Sequence, residues 1–473
     1  MSKAPPPLYD HQTASIKAFD ASSIGFDMSD PGTGKTRVQI ELFANRRKRG
    51  GGRALIVCPK SLMRSAWEED FKKYAPHIHV VTCPALKREE AFATYADVHV
   101  TNTDAVTWLA KKPPSFFKDY DTLIVDESSA FKHATSQRSK ALKKISKFFK
   151  NRYLLSGTPA ANAITDIWHQ AFILDEGKRL GKSFFQFRAS VCEPKQVGPS
   201  PNMLKWTQRA GAEQAVSMLL ADITVRHKFE ECLDIPPNHT FTVPYQMSSK
   251  QADAYKQMEK YAVSVLDGDR TITAINAAVV MGKLLQIASG AAYSDQGSGN
   301  NPLLIKASDA LGYNPIEEAR YELVADLVEN RKHSLIFFNW THQRDMIIKY
   351  LKKRGITYCI IDGTTSDKVR DENVRYFQGG LYRVMLAHPA SAAHGLTLTR
   401  ATTTIWASPP LNLEHYLQGN RRIYRSGQTQ STETIMILAD HTIEAHVYDQ
   451  LQKKNMSQST MLDMLQEHFR EAS

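Results

Sequence analysis

Residues 29–36 read Ser29-Asp30-Pro31-Gly32-Thr33-Gly34-Lys35-Thr36, directly after a short apolar run and directly before a helical pattern that begins at Arg37. Glycines let the backbone N–H groups of such a loop turn inward around phosphate oxygens, and the N-terminus of the following helix adds a favourable dipole. In a phosphate loop of this kind Lys35 reaches the β- and γ-phosphates and the Thr36 hydroxyl ligates magnesium. The predicted nucleotide-binding residues are Pro31, Gly32, Thr33, Gly34, Lys35 and Thr36.

The loop departs from the strict phosphate-loop pattern at Ser29, where that pattern has glycine. The competing interpretation is a glycine-rich turn that binds no ligand. The position of Gly34-Lys35-Thr36 between a strand and a helix argues against it, and we therefore expect a nucleotide site here.

Around this loop, short β-branched or apolar runs alternate with amphipathic stretches, as in a parallel sheet with crossover helices. The predicted strands are Ala54–Cys58, Val98–Asn102, Thr122–Asp126, Tyr153–Ser156, Ser334–Phe338, Tyr358–Ile361, Val384–Ala387, Thr403–Trp406 and Thr434–Leu438. Between the two sets, the chain reads mainly as helix from about Glu213 to Leu285, interrupted at Ile235-Pro236-Pro237. The sequence therefore predicts an α/β protein with two parallel-sheet lobes, residues 1–235 and 314–473, joined by a helical bridge, residues 236–313.

A second strand of the first lobe ends in two carboxylates, in the sequence Leu123-Ile124-Val125-Asp126-Glu127. Phosphoryl transfer to water needs an acid that holds a metal ion and a group that orients the water, and adjacent residues at a strand tip can supply both. We assign Asp126 to Mg²⁺ and Glu127 to the attacking water. An acidic pair at a strand end is more often a solvated turn, but its combination with the phosphate loop favours catalysis.

Two further motifs bear on hydrolysis. Leu155–Pro159 closes another strand, and the hydroxyls of Ser156 and Thr158 are candidates for sensing the nucleotide, although the motif alone would indicate an ordinary turn. Arg422 and Arg425 lie three positions apart, so on a helix they would project from one face. Arginine pairs of this kind usually form a solvated helix end. We interpret this pair as arginine fingers, because a two-lobed motor needs them on the lobe opposite the phosphate loop.

Composition restricts the class of protein. Of 473 residues, 42% are hydrophobic and 23% charged, which is typical of a globular protein with two or three domains. No apolar run approaches the ~20 residues of a membrane-spanning helix, and residues 1–7 lack the apolar core of a signal peptide. The five cysteines form no CxxC pair, which argues against a zinc site or a disulfide framework and favours a reducing cytoplasm. The net charge of +11 favours a polyanionic partner, and nucleic acid and anionic membrane surfaces both satisfy it.

In the order and identity of its motifs, the chain resembles the Swi/Snf family of DNA translocases, within the second helicase superfamily. The match is collinear over nearly the whole chain, and its most specific segments are Asp362-Gly363-Thr364-Thr365-Ser366 and the run from Gln418 to Gln428. The resemblance implies two tandem RecA-like lobes with a helical insertion between them. It also implies ATP and Mg²⁺ as cofactors and double-stranded DNA as the partner.

The resemblance assigns roles to further residues of this chain. Gln12 in Leu8–Gln12 resembles the adenine reader of the family, and Gly395 and Gln428 lie in motifs of its nucleotide site. The residues in nucleic-acid-contacting motifs are Lys60, Ser61, Thr101, Thr103, Trp340 and Thr364. Ser156 and Thr158 fall in the motif that couples hydrolysis to movement.

Two basic clusters are additional candidates for nucleic-acid contact. One is the loop Arg46–Gly50, and the other is a helix face formed by Lys140, Lys143, Lys144 and Lys147. A run of charges is usually a solvated surface, so neither cluster is decisive. Since no zinc finger or other base-reading motif is evident, we expect binding without sequence specificity.

The resemblance departs from the family pattern directly after the acidic pair. The family usually reads Asp-Glu-Ala-His, whereas this chain has Asp126-Glu127-Ser128-Ser129. The acid and the water-orienting group are both present, so we expect hydrolysis to be retained. The imidazole that helps the family link hydrolysis to its other motifs is absent at Ser129.

The sequence therefore predicts a monomeric, ATP-dependent translocase on double-stranded DNA that remodels or displaces DNA-bound proteins. The nearest alternatives are a strand-separating helicase and the motor subunit of a restriction or repair complex. The Ser128-Ser129 departure also keeps open a nucleic-acid-binding scaffold with weak ATPase activity. A membrane-surface or signalling protein would have no use for Arg422 and Arg425. We expect no membrane or zinc among its partners and a cytoplasmic location, at the nucleoid or in the host cytoplasm for a prokaryotic or viral source.

Overall fold

The computed structural model describes residues 5–160, 163–196, 204–232, 235–268, 274–293, 313–392 and 396–453, together with Met464 and His468. The chain divides into two compact units, Met1–Asp234 and Ile235–Ser473. Those residues of the expected helical bridge that the structure describes fall in the second unit. Among all described residues, no helix has the length and apolar character needed to cross a membrane.

The first unit is built on a seven-stranded parallel sheet with the strand order β3-β4-β2-β5-β6-β1-β9. Its strands, including a separate antiparallel hairpin of β7 and β8, are β1 Ile24–Asp27, β2 Arg53–Cys58, β3 Val80–Cys83, β4 Val98–Asn102, β5 Tyr120–Asp126, β6 Asn151–Leu155, β7 Cys192–Gln196, β8 Leu204–Gln208 and β9 Thr224–Val225. Its helices are α1 Asp10–Asp20, α2 Lys35–Lys48, α3 Glu69–Tyr74, α4 Arg88–Ala93, α5 Ala105–Leu109, α6 Gln137–Ser146, α7 Ile167–Asp175, α8 Phe184–Val191, α9 Ala212–Leu220 and α10 Phe229–Cys232.

The sheet of the first unit is covered on both faces. In β2, Leu55 and Val57 belong to one hydrophobic cluster, whereas Ala54 and Ile56 belong to another. Successive side chains of a strand point to opposite faces, so these two clusters are the cores on the two sides of the sheet. Burial on both faces explains why the strands read as continuous apolar runs.

The carboxyl ends of β1, β6 and β5 are level. Asp27 at the end of β1 pairs with Leu155, and Leu155 also pairs with Asp126 at the end of β5. Because the strands are parallel, the segments that follow them all leave the sheet on one side, at the carboxyl ends of its strands. These segments are the phosphate loop, Ser156–Pro159 and the acidic pair.

The second unit contains a six-stranded parallel sheet with the strand order β10-β17-β16-β13-β15-β14. The six strands of this sheet are β10 Asn238–Tyr245, β13 Ser334–Phe337, β14 Tyr358–Ile361, β15 Val384–Ala387, β16 Thr403–Trp406 and β17 Thr432–Ala439. A separate antiparallel pair consists of β11 Ala291–Ala292 and β12 Asn314–Pro315. The helices of the second unit are α11 Ser249–Gly268, α12 Ala274–Ala288, α13 Ala319–Glu329, α14 Thr341–Lys353, α15 Asp367–Gly379, α16 Pro389–Ala392, α17 Leu413–Asn420 and α18 Glu444–Gln452. The predicted fold class, two parallel α/β sheets, is confirmed.

One part of the expected helical stretch is a strand instead. Asn238–Tyr245 pairs with β17 in parallel register over its whole length, at the edge of the second sheet. Alternating β-branched residues, Thr240 and Thr242, favour an extended chain. Pro244 is tolerated because an edge strand does not need every N–H for the sheet.

A buried cation joins the helices of the second unit to its sheet. Arg320 on α13 is 1% exposed and donates to the carbonyl oxygens of Ala288 (2.9 Å), the last residue of α12, and of Ala407 (2.6 Å), which follows β16. Its Nη2 also lies 2.6 Å from a carboxylate oxygen of Glu444 on α18. The guanidinium stands 4.7 Å from the ring centroid of Tyr245 at the end of β10. One side chain therefore holds three helices and the sheet together.

We expect Arg320→Leu to lower the free energy of unfolding of the second unit by about 3–5 kcal/mol, because Glu444 would be left as an uncompensated buried charge. The matched control is Arg354→Leu, which removes ion pairs with Asp326 and Glu329, whose side chains are 55% and 51% exposed, and should cost about 0–1 kcal/mol. Hydrogen exchange of the slowest amides in β13 and β16 measures both losses. Equal losses in the two variants would contradict the assignment.

Candidate active site

The phosphate loop adopts the backbone that its glycines permit. Gly32 and Gly34 have φ angles of 90° and 88°, in the left-handed region that other residues rarely adopt. A Cβ at Gly34 would come within 2.2 Å of the Gln12 side-chain nitrogen. Lys35 Nζ donates to the carbonyl oxygens of Ser29 (2.7 Å) and Asp30 (3.2 Å). Two carbonyl oxygens of the loop therefore bind the ammonium group of the loop's own lysine.

Helix α1 holds the loop from the other side. Gln12 is 3% exposed, donates to the Thr33 carbonyl at 3.3 Å and accepts from the Tyr9 N–H at 3.2 Å. His11 Nε2 lies 2.8 Å from the same Thr33 carbonyl. The structure thus places the predicted adenine reader directly against the phosphate loop.

A segment near the end of the first unit is hydrogen-bonded to the start of the loop. This segment comprises residues 225–229. Four hydrogen bonds join it to residues 28–30: Met28 N to Val225 O (2.8 Å), Asp30 N to His227 O (2.9 Å), His227 N to Ser29 Oγ (3.1 Å) and Phe229 N to Asp30 Oδ2 (3.2 Å). Ser29 is 2% exposed, so the glycine of the strict pattern would leave the His227 N–H without this acceptor.

The acidic pair stands at the end of β5. Asp126 is 6% exposed, and its carboxylate accepts hydrogen bonds from Trp67 Nε1 (3.0 Å) and from the Glu127 N–H (3.0 Å). Burial, and secondarily the charge of Glu127, raises the pKa of Asp126 to about 7, while Lys35 acts in the opposite direction. Glu127 has a φ of 52°, which is strained for a residue with a side chain.

The oxygens available here fit a divalent cation. Mg²⁺ prefers carboxylate and hydroxyl oxygens. Asp126 supplies a buried carboxylate, and Thr36 supplies a hydroxyl in the first turn of α2. Within the described part of the chain, no hydrogen bond engages the Thr36 hydroxyl. Asp126 and Thr36 are therefore the residues that would hold the ion.

The segment Ser156–Pro159 packs against the phosphate loop. The Ser156 N–H donates to the Asp27 carbonyl at 3.0 Å, and its hydroxyl accepts from the Thr158 N–H at 3.2 Å. A Cβ at Gly157 would lie 2.8 Å from Pro31 Cδ, so the two backbones are in close contact. The Thr158 Oγ1 atom is buried and has no hydrogen-bond partner among the described residues. The two predicted coupling residues therefore adjoin the loop.

In the second unit the two predicted arginine fingers converge, although not as expected. Helix α17 ends at Asn420, so Arg422 and Arg425 lie in the turns after it, and the prediction of one helical face is wrong. Between the two arginines, Ile423 is 0% exposed and belongs to the hydrophobic core of the second unit. Both guanidiniums nevertheless donate to one atom, the Leu396 carbonyl oxygen, at 3.2 and 2.9 Å.

The other two predicted nucleotide contacts in the second unit have different outcomes. Gly395 lies outside the described residues. Gln428 is 4% exposed, and both ends of its amide bind nearby backbone. Its partners are the carbonyls of Thr399, Ala401 and Ile423 and the N–H groups of Thr429 and Gln430. A contact of Gln428 with nucleotide would require these bonds to break.

The predicted nucleic-acid contacts of the first unit divide into surface and buried residues. Lys60 is exposed beyond the end of β2, and Ser61 and Thr103 are partly exposed at the same sheet edge. Thr101 is 0% exposed in β4, and its hydroxyl donates to the Cys83 carbonyl at 3.1 Å. Thr101 is buried within the sheet, so its side chain is not available to nucleic acid in this structure, contrary to the prediction.

The corresponding residues of the second unit lie beyond β13 and β14. Trp340 is half-buried at the start of α14 and stacks on His342, with ring centroids 6.0 Å apart. Thr364 is exposed, and both its N–H and its hydroxyl donate to Asp362, at 3.0 and 2.7 Å. These two residues remain candidates for contact.

The basic loop Arg46–Gly50 is an internal ion-pair network. Arg47 lies 2.7 Å from Asp97, and Arg46 and Arg49 lie 3.5 and 2.5 Å from Asp20. Asp20 and Asp97 pair with three of the four cations of this segment, so part of the charge that made it a candidate is compensated within the unit.

Two residues of the site escaped the sequence analysis. The Trp67 indole binds Asp126 across the sheet edge, and nothing in the local sequence announces this pairing. Gln170 contacts both the turn after the acidic pair and Pro159. A polar side chain in the otherwise apolar run of α7 was the available signal, because a buried amide needs partners.

We expect Ser29→Ala to speed hydrogen exchange of the His227 amide by about tenfold, because one buried hydrogen bond contributes about 1 kcal/mol. Thr13→Ala is the control, since it removes an exposed hydroxyl that binds only the Tyr9 carbonyl within α1. Amide exchange followed by NMR or mass spectrometry measures both. An unchanged His227 rate in Ser29→Ala would contradict the role given to the hydroxyl.

Comparisons with known proteins give the family. The SNF2-related domain matches residues 24–290, and the helicase conserved C-terminal domain matches residues 318–427. Protein p41 of Acyrthosiphon pisum secondary endosymbiont phage 1 is 26% identical over 452 residues, which is 92% of this chain and 93% of that protein.

Two chromatin proteins are also similar to this chain. The SWI/SNF-related matrix-associated actin-dependent regulator of chromatin subfamily A-like protein 1 of Xenopus tropicalis is 26% identical over 90% of this chain and 42% of its own length. Chromodomain-helicase-DNA-binding protein 1-like of Mus musculus is 24% identical over 90% of this chain and 47% of its own length. This chain thus spans less than half of each of these two relatives.

A solved structure of the Sulfolobus solfataricus SWI2/SNF2 ATPase core in complex with dsDNA aligns over 95% of this chain and 91% of that chain, with 20% identity and a TM-score of 0.43. The SNF2-related domain alone covers more than half of the 473 residues. The resemblance inferred from the motifs is therefore confirmed, and the chain belongs to the SNF2-related family of helicase-type, nucleic-acid-dependent ATPases.

Proposed function

We propose that this protein is an ATP-driven motor that translocates along double-stranded DNA and displaces proteins bound to it. The observation that supports it most is the gathering of the phosphate loop, Ser156–Pro159 and the acidic pair at one sheet edge, in a chain of this family. A phosphate loop beside a pair of carboxylates, one of them buried, has the groups that hydrolysis of a phosphoanhydride needs.

In this proposal the first unit binds ATP and orients the reacting groups. Lys35 exchanges the carbonyls of Ser29 and Asp30 for the β- and γ-phosphates. Asp126 and Thr36 would hold Mg²⁺, which would neutralise charge on the phosphates when bound. Glu127 orients the attacking water, and Gln12 contacts the adenine.

The second unit supplies positive charge in the proposal. Arg422 and Arg425 are brought to the γ-phosphate when the units close, where they stabilise the transition state. Their common anchor on the Leu396 carbonyl would move them as one group. Closure with ATP and release after hydrolysis would alternate the grip of the two units on the DNA backbone.

Double-stranded DNA is the proposed track on three grounds. The net charge of +11 favours a polyanion, and Lys60 and Thr364 lie exposed beyond strands β2 and β14. One relative is named a chromodomain-helicase-DNA-binding protein. Contacts made by lysine and hydroxyl groups with phosphates position a protein without reading sequence.

A triplex-displacement assay beside a short-duplex unwinding assay tests the proposed function. We expect ATP-dependent release of the third strand without sustained separation of the duplex. Lys35→Ala is the control and should lower ATP turnover by about a hundredfold or more, because the loop loses its charge on the transferred phosphate. Efficient unwinding without displacement would favour a strand-separating helicase, and absent turnover would favour a scaffold.

The pH dependence follows from the Asp126 carboxyl, whose pKa is raised to about 7. Below that pH the carboxyl is protonated and cannot hold Mg²⁺, so we expect kcat/KM for ATP to rise with pH through about 7 and then level off. Because Mg²⁺ competes with the proton, a tenfold increase in free Mg²⁺ should lower the midpoint by up to about one unit.

The control for this profile is Trp67→Phe, which removes a hydrogen bond to the ionised carboxylate and should move the midpoint upward. ATP affinity measured without Mg²⁺ at the same pH values corrects for ionisation of the nucleotide itself. If neither the Mg²⁺ concentration nor the Trp67→Phe substitution changed the pH midpoint of kcat/KM, Asp126 would be ruled out as the titrating group.

A further inference from the structure

The turn that follows the acidic pair, Ser128–Phe131, is held by α7. The Ser128 hydroxyl donates to the Gln170 side-chain oxygen at 2.7 Å, and both residues are 0% exposed. His169 Nδ1 lies 2.7 Å from the Phe131 carbonyl. Two consecutive residues of α7 thus contact the two ends of this turn.

The same glutamine reaches in a second direction. Gln170 Nε2 donates to the Pro159 carbonyl at 2.7 Å and to the Asp166 carbonyl at 3.0 Å. Pro159 ends the segment that packs on the phosphate loop through Gly157. Gln170 therefore bridges two elements of the site that do not adjoin each other in sequence.

These contacts form a continuous path through the first unit. The path runs from Pro31 in the phosphate loop to Gly157, along the chain to Pro159, through Gln170 to Ser128, and from there to Glu127. Glu127 has a strained backbone, with a φ of 52°. Such a conformation persists only where its surroundings impose it. The path therefore connects the loop that meets the γ-phosphate to the residue that orients the water.

We propose that Gln170 is a positioning residue that transmits the state of the phosphate loop to Glu127. The path offers a route that does not need an imidazole after the acidic pair, where this chain has Ser128-Ser129. The inference deepens the proposed function and rests on it in one respect, since the transmitted signal is taken to be the one that DNA binding stimulates.

The chemistry of an amide is what this position requires. An amide donates at one end and accepts at the other, so Gln170 can bind a hydroxyl and a carbonyl at once. Leucine has a similar volume but neither function. Gln170→Leu therefore cuts the path at its centre, whereas Ser128→Ala cuts only the final link to the acidic pair.

The test compares ATP turnover with and without duplex DNA in Gln170→Leu, Ser128→Ala and the double variant. We expect the ratio of DNA-stimulated to basal kcat to fall by about tenfold in Gln170→Leu, with KM for ATP changed by less than about twofold, because the nucleotide contacts remain. The double variant should match Gln170→Leu alone, because both substitutions interrupt one path.

A merely structural role would lower thermal stability and the active fraction but not this ratio, which is independent of how much protein is folded. The matched control is Gln251→Leu in the second unit, a buried glutamine that donates to the carbonyls of Ile287 and Ala288. It should lose stability and keep the ratio. An unchanged ratio in Gln170→Leu, an equal fall in Gln251→Leu, or additive effects in the double variant would overturn the proposal.

The two proposals fail in different ways. If the unsubstituted protein shows DNA-stimulated turnover but displaces no third strand, the translocase function is contradicted. The ratio measured in Gln170→Leu uses turnover alone and still decides the role of Gln170.

Discussion

Three parallel strands of the first unit end level with one another, and the candidate site depends on this alignment. Asp27 and Asp126 are both paired with Leu155, so the segments that follow β1, β6 and β5 emerge side by side. A slip of β5 by one residue would turn Asp126 to the opposite face, away from Trp67. The two hydrophobic cores pack against β5 from either side, so a change of register would also disturb this packing and move the candidate catalytic groups.

The parts of the structure that depend on local sequence could be predicted. Val98–Asn102 and Tyr358–Ile361 agree with the predicted strands to the residue, because buried parallel strands are continuous apolar runs. β10 was missed because its partner, β17, is distant in the chain. The helix expected through Arg422 and the nucleic-acid contact expected of Thr101 are not found, because α17 ends at Asn420 and Thr101 is buried in its sheet. Both outcomes depend on packing with distant parts of the chain, which the local sequence does not show.

Two departures from the expected motifs share one explanation. Ser29 replaces a glycine of the strict phosphate loop, and its hydroxyl accepts from the His227 N–H. Ser128 follows the acidic pair where the family usually has alanine, and its hydroxyl donates to Gln170. In both places a small side chain adds a buried hydrogen bond between the loop edge and a more distant segment. The departures therefore bind the site more closely to the rest of the first unit.

The left-handed backbone of Glu127 lowers the stability of the fold, while its carboxylate has a proposed role in ATP hydrolysis. A left-handed conformation at a residue with a Cβ costs on the order of 1 kcal/mol, and glycine or asparagine would adopt it more readily. Neither of them carries a carboxylate. Selection for thermal stability alone would thus favour glycine or asparagine at position 127. Selection for ATP hydrolysis would favour glutamate there, if its carboxylate has the proposed role.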